Sequence, residues 1–174
     1  MLNSRDDAYE LLAKLGASRH LLTHLRLVGE AADLLIRGYA ELGLDFDAQW
    51  IELGVAVHDA GKIEHPEELA GPGSLHEPAG KALMLHNGVQ PRIADCCISH
   101  AAWRTQGLSL EERSVALADK LWKGKREEDL ELLVIDQVAS GLGVDRWEVF
   151  ETLDSLFEKI AADGTQRLMR SQAA

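Results

Sequence analysis

His24, the adjacent pair His58-Asp59, and Asp119 are the residues whose types and order could do chemistry in this chain. Two imidazoles and two carboxylates offer nitrogen and oxygen donors without thiolate. That mixed set suits one divalent transition metal, Mn, Fe, Co, Ni or Zn, with Mg less well served by the imidazoles. His76 and His100 fall between the pair and Asp119, which leaves room for a second ion.

The elements that must position these residues read as helices. Residues 6 to 15 form a short first helix ended by Gly16, and Ser18 caps a longer one running to about Leu42. On it Leu21, His24, Leu25, Val28, Ala31, Ala32 and Leu35 follow the 3.6-residue period, so His24 points inward. Asp47 caps a third helix on which Ile51, Val55 and His58 share a face, with Asp59 at its end and Gly61 as the stop. Pro66, Gly71, Pro72 and Gly73 then mark an irregular loop with at most one helical turn.

Ser74-Leu75-His76-Glu77 matches a capping box, but Pro78 would then take the fourth helical position and forfeit a backbone bond. A start at Pro78 is therefore expected, with His76 just outside a helix that ends at Asn87-Gly88. Pro91 opens the next helix, where Ile93, Cys96, Cys97 and His100 form an i, i+3, i+4, i+7 stripe. Ser109 and Glu112 make a second capping box, and the helix behind it carries Val115, Asp119 and Trp122 on one side. Gly124 leads into two more helices, about 128 to 140 and 146 to 162, and the last ten residues are expected to fray. Strand-like alternation never persists. The expected fold is all-α: a compact single-domain helical bundle of about seven or eight helices, with a metal-binding core over 1–124 and C-terminal helices over 125–174 packing on the same domain.

Composition narrows the function. The chain has 174 residues, 46% of them hydrophobic and 27% charged, which is ordinary for one globular domain able to bury a core unaided. Cys96 and Cys97 are neighbours on one helix and are expected to be small buried thiols rather than a disulfide. No apolar run reaches the length of a membrane span and the first residues lack a signal-peptide pattern, so a cytoplasmic protein with no membrane partner is expected. The formal charge of −11 opposes duplex nucleic acid, whose binding needs many Lys and Arg on phosphates, and favours a small substrate. A metal cluster can still reverse the potential inside one cleft.

The order H…HD…D, with Val57-His58-Asp59-Ala60-Gly61-Lys62-Ile63 reading like an HDxGK signature and Ala118-Asp119-Lys120 downstream, resembles the HD-domain superfamily of metal-dependent phosphohydrolases over roughly residues 18 to 124. The resemblance implies a bundle of the HD-domain type in which His24, His58, Asp59 and Asp119 hold a first metal. In two-metal members the extra ligands are a histidine shortly after the HD pair and another about two helices on. His76 and His100 fit that pattern, with Asp59 bridging. The implied reaction is hydrolysis of a phosphomonoester or phosphodiester of nucleotide size, with Asp59 and Lys62 as catalytic residues and the Lys62 ammonium on the phosphate. A minority of the superfamily are mixed-valent di-iron oxygenases that cleave a C–C or C–P bond with the same six ligands, and this is the alternative. No Gly-Tyr-Pro string follows His100, which argues against a cyclic-dinucleotide phosphodiesterase of the HD-GYP kind.

Arg19, Trp103 and Arg104 are further substrate-binding candidates, the indole for stacking on a base and the guanidiniums for gripping phosphate. His86 is expected to pack, and His20 and His65 to lie at the surface. Trp147, Phe150, Leu153 and Phe157 form an apolar stripe on the last expected helix, a packing face onto the domain or between two subunits of a homodimer.

Overall fold

Ten α-helical segments and two single-turn 3-10 pieces make up the regular structure of residues 1–173, which the computed structural model describes. In chain order the helices are α1 (Arg5–Lys14), α2 (Arg19–Glu41), α3 (Ala48–Val57), α4 (His76–His86), α5 (Pro91–Ala94), α6 (Cys96–Ser99), α7 (Leu110–Leu121), α8 (Glu128–Leu142), α9 (Arg146–Ala162) and α10 (Gly164–Gln172). The 3-10 turns occupy Ala60–Ile63 and Pro66–Leu69, and there is no strand among the described residues. The protein is all-α. No described helix is long and apolar enough to cross a membrane.

The starts follow side-chain capping. Ser18 and Asp47 accept from the backbone N–H groups of Leu21 and Trp50, and Ser4–Asp7, Ser109–Glu112 and Asp145–Glu148 form reciprocal capping boxes. Each oxygen satisfies an N–H that the helix itself leaves free.

Helix α2 runs through the middle and serves two apolar clusters. Its C-terminal half, through Val28, Ala31, Leu35 and Tyr39, packs with Val115 and Leu121 of α7, Val134 and Val138 of α8, and Leu153 and Phe157 of α9. Its N-terminal half, through Leu21 and Leu25, joins Leu12 of α1, Leu53 and Val57 of α3, and Met84 and Ile93. His24 lies in sequence between Leu21 and Leu25 of the second cluster, Val57 and Ala60 flanking His58-Asp59 belong to that cluster too, and Ala118 beside Asp119 belongs to the first. The candidate ligands thus converge on the seam between the two cores. Helices from beyond residue 125 share the first of them.

Four local expectations need correction. Helix α4 begins at His76, not Pro78, with Leu75 in the cap position. Pro78 is then only the third helical residue, where no intrahelical N–H bond is lost. The helix opened by Pro91 is interrupted at Asp95 into two four-residue segments, although Asp95 keeps helical angles (φ −62°, ψ −25°). Of the last ten residues, expected to fray, those up to Gln172 belong to helix α10, with Arg167 and Ser171 buried, while Ala174 lies outside the described residues. His86 is exposed rather than packed.

The stripe on α9 divides. Leu153 and Phe157 are fully buried, Phe150 is partly buried, and Trp147 stays 70% exposed, so the stripe packs onto the domain only along its C-terminal part.

Candidate metal centre

Three histidines are oriented by the hydrogen bonds they make on the side away from the centre. His58, at the end of α3, and His100, at the end of α6, place Nδ1 2.9 Å from the carbonyl of Val55 and 3.0 Å from that of Cys96. A carbonyl only accepts, so Nδ1 carries the hydrogen in both rings and Nε2 presents its lone pair inward. His76, the first residue of α4, donates Nδ1–H to Glu68 Oε2 at 2.5 Å and likewise turns Nε2 inward. A metal-ligating imidazole needs this arrangement, with one nitrogen held by an outer acceptor and the other free for the ion.

Asp59 stands between two groups of rings. Its Oδ2 lies 2.9 Å from His24 Nε2 and 3.6 Å from His58 Nε2, while its Oδ1 lies 3.2 Å from His76 Nε2 and 3.6 Å from His100 Nε2. Asp119 Oδ1 is 3.5 Å from His58 Nε2. Two triplets result, His24–His58–Asp119 and Asp59–His76–His100, each with one donor atom per residue lying within 4.8 Å of the others. All six sequence-expected ligands are brought together, and such buried His/Asp groups could hold metal ions.

The donor set passes a test of fit. His58 and His76 are buried and their Nε2 atoms have no hydrogen-bond partner; the Asp59 oxygen near His76 is close but not aligned. A buried polar nitrogen left unpaired costs about 1–3 kcal/mol, so such orphans ask for an occupant. Two ions ligated by nitrogen and carboxylate oxygen would satisfy both orphans and compensate the burial of Asp59 and Asp119.

Mutual attraction among these groups sets their protonation. Burial opposes charge on His58, yet Asp59 and Asp119 outweigh it and raise its pKa. Burial likewise opposes charge on Asp59 and on Asp119, but His58, with His24 and His76 beside Asp59, holds both carboxyls well below the usual carboxylate range. His100, buried and next to His58, is lowered to about 4 and is therefore a neutral donor at physiological pH.

Close backbone contact sets the spacing between the HD turn and α4. A Cβ on Gly61 would lie 1.8 Å from the carbonyl oxygen of His76, and one on Gly80 would lie 2.8 Å from the amide nitrogen of Gly61. Gly61 thus brings α4, and with it His76, against the turn that carries Asp59. It is not a left-handed stop for α3: it sits inside the following 3-10 turn without a positive φ.

A cleft of about 440 Å³ opens over the centre, with Asp59, His24, His76, His100 and Asp119 at its base. Lys62, Lys120 and Lys123 line it together with Trp122 and Glu77, so three ammoniums face the carboxylates of Asp59, Glu77 and Asp119 in a molecule of net charge −11. Lys62 Nζ sits 2.7 Å from Asp59 Oδ2, and Lys120 Nζ 3.6 Å from Asp119 Oδ2. Leu168, Ser171 and Gln172 bring α10 into the cleft wall. This is possible because Gly164, the first residue of α10, packs against Gly124, where a Cβ would meet the Gly124 nitrogen at 2.2 Å.

Three of the expected substrate-binding residues lie elsewhere. Trp103 is buried in the first core cluster, because Arg113 fastens its carbonyl from α7. Arg104 stacks 3.9 Å over the Trp103 ring and reaches Asp129 at 3.1 Å, on the outside of the molecule. Arg19 is exposed at the start of α2 and does not line the cleft. Sequence reasoning overlooked Glu68, Lys120, Lys123 and the α10 residues. Only Lys120 and Lys123 carried a signal, Lys120 by following Asp119 directly and Lys123 by following Trp122 on the same helix face as Asp119.

No family model, no curated protein and no solved structure matches this chain.

Proposed function

We propose that the chain is a metal-dependent phosphohydrolase of the HD-domain type that acts on a small phosphomonoester or phosphodiester. The observation that carries this reading is the division of Asp59 between two histidine groups, with the orphaned Nε2 atoms of His58 and His76 facing the centre. His24, His58 and Asp119 would hold one divalent ion, His76 and His100 the other, and Asp59 both. Mn, Fe, Co, Ni and Zn suit these donors. Ions held there would supply a water of lowered pKa, toward about 7, and positive charge for the phosphoryl oxygens.

The residues of the cleft supply the rest. Lys62, Lys120 and Lys123 balance the carboxylates of Asp59, Glu77 and Asp119 in the cleft, so bound divalent ions would leave it net positive where an anionic ester would enter, which supports phosphate as the reacting group. A cleft of about 440 Å³ suits a nucleotide-sized molecule and excludes a duplex. The outward-donating Nδ1 atoms of His58, His76 and His100 fix the ring orientation in which each Nε2 faces the centre, so an ion would displace at most a proton and require no change of tautomer.

Phosphate release from nucleotides, cyclic nucleotides and an aryl phosphate by the Mn- or Co-loaded protein tests the reading. Lys62 is expected to act on charge that grows in the transition state. Lys62→Ala should then lower kcat by about 10²-fold or more with bound metal unchanged, and Lys62→Arg should restore part of it. If the loaded protein releases no phosphate but consumes O₂ with ferrous iron and a candidate substrate, the hydrolase reading gives way to a di-iron oxygenase.

A further inference from the structure

Glu68 belongs to no ligand triplet, yet in the 3-10 turn Pro66–Leu69 it is buried at 7% exposure between exposed Glu67 and half-buried Leu69. One carboxylate does three things there. Oε1 accepts the backbone N–H of Leu75 at 3.1 Å; Oε2 accepts the backbone N–H of His76 at 3.1 Å and the His76 ring Nδ1–H at 2.5 Å. Helix α4 has no capping side chain of its own, so Glu68 supplies its cap from eight residues upstream and places an anion at its N-terminus. The surrounding loop is shaped to the carboxylate: a Cβ on Gly73 would meet Glu68 Oε1 at 2.2 Å.

We infer that Glu68 is the positioning residue of the second ion site: its carboxylate fixes the His76 ring with Nε2 toward Asp59 Oδ1, and so sets the affinity of the Asp59–His76–His100 triplet alone. The inference rests on the two-ion reading above. His58 and His100 are oriented by main-chain carbonyls, which no substitution removes, whereas His76 depends on a side chain. Glutamine replaces it only in part: with its carbonyl oxygen on His76 its NH₂ would face the Leu75 N–H donor, and the negative charge that strengthens the hold on the His76 ring is gone.

The test is a competitive Co(II) or Zn(II) titration against a chromophoric chelator. Glu68→Gln should weaken the second ion by about 10- to 100-fold and leave the first unchanged. In a His76→Ala background, Glu68→Gln should change metal affinity no further, which a merely structural role in the loop would not predict. Two tight sites in Glu68→Gln, or equal weakening with and without His76, would overturn the inference while leaving the metal site intact. A wild type whose metal content does not respond to His76→Ala would overturn the two-ion reading and this inference with it. Should Glu68→Gln fail to fold, the metal-free wild type still decides: its His76 Nδ1–H should appear in proton NMR as a slowly exchanging downfield signal, and a rapidly exchanging, unshifted one rules the pair out.

Discussion

Asp59 is the side chain on which the site turns. Each of its oxygens faces a different pair of imidazoles, and Lys62 holds the same Oδ2 that His24 does. Lys62 can be removed without losing a ligand, which is why its variants should separate rate from metal content. How much of the site could be read residue by residue follows from what fixes each position. His24, His58, His100 and Asp119 lie on apolar helix faces whose period gives their direction. His76 is expected only through the family resemblance, in which a histidine follows the HD pair, and its place as the first residue of a helix was not legible. Glu68 could not be chosen over Glu67, because two adjacent loop carboxylates carry no periodicity to say which turns inward. Trp103 and Arg104 misled because adjacency to His100 in sequence does not survive the turn that follows α6: the indole joins the core and the guanidinium leaves with it.

At the scale of elements, contact between backbones sets the distance from the HD turn to α4. Gly61→Ala should force His76 away from Asp59, since its Cβ would fall 1.8 Å from the His76 carbonyl oxygen. The expected outcome is loss of one of two bound ions with helicity retained, read by metal analysis and circular dichroism; two ions in that variant would refute this account of the glycine. Between α8 and α9 an ion pair adds to the apolar packing. Arg146 donates two hydrogen bonds to Asp136, at 2.6 and 2.5 Å, and this pairing holds the Asp136 carboxyl below its ordinary range even though partial burial opposes it. A folded pKa below the unfolded value of about 3.9 contributes stability at pH above that value, lost as pH falls through the folded pKa. Carbon NMR should therefore place the Asp136 titration below the normal carboxylate value, and Arg146→Ala should return it and flatten the acid end of the stability curve. An unshifted Asp136 in the wild type would contradict the pairing. Most element boundaries were legible because caps are local chemistry, as at Ser18, Asp47 and Ser109. The start of α4 was not, because its cap comes from Glu68 in another segment, and α10 was not, because a glycine contact with the end of α7 holds it in place.

Over the whole molecule, an acidic exterior surrounds a cleft lined by three lysines, above six buried or partly buried ligand candidates at the seam of two cores. The all-α class was readable from period alone. The three lysines of the cleft were not, since Lys120 and Lys123 acquire meaning only when α7, the turn at His58-Asp59 and α10 are brought to one place. Burying four histidines and two aspartates so close together is costly unless something binds them, and the account stands on that occupant being metal. Elemental analysis of the purified wild type and of Asp59→Ala, each reconstituted with Mn or Co and desalted, tests this most directly. About two ions per chain are expected in the wild type and close to none in the variant, with the helical circular dichroism of both alike. A wild type that retains no metal, or a folded Asp59→Ala that retains as much as the wild type, would contradict it.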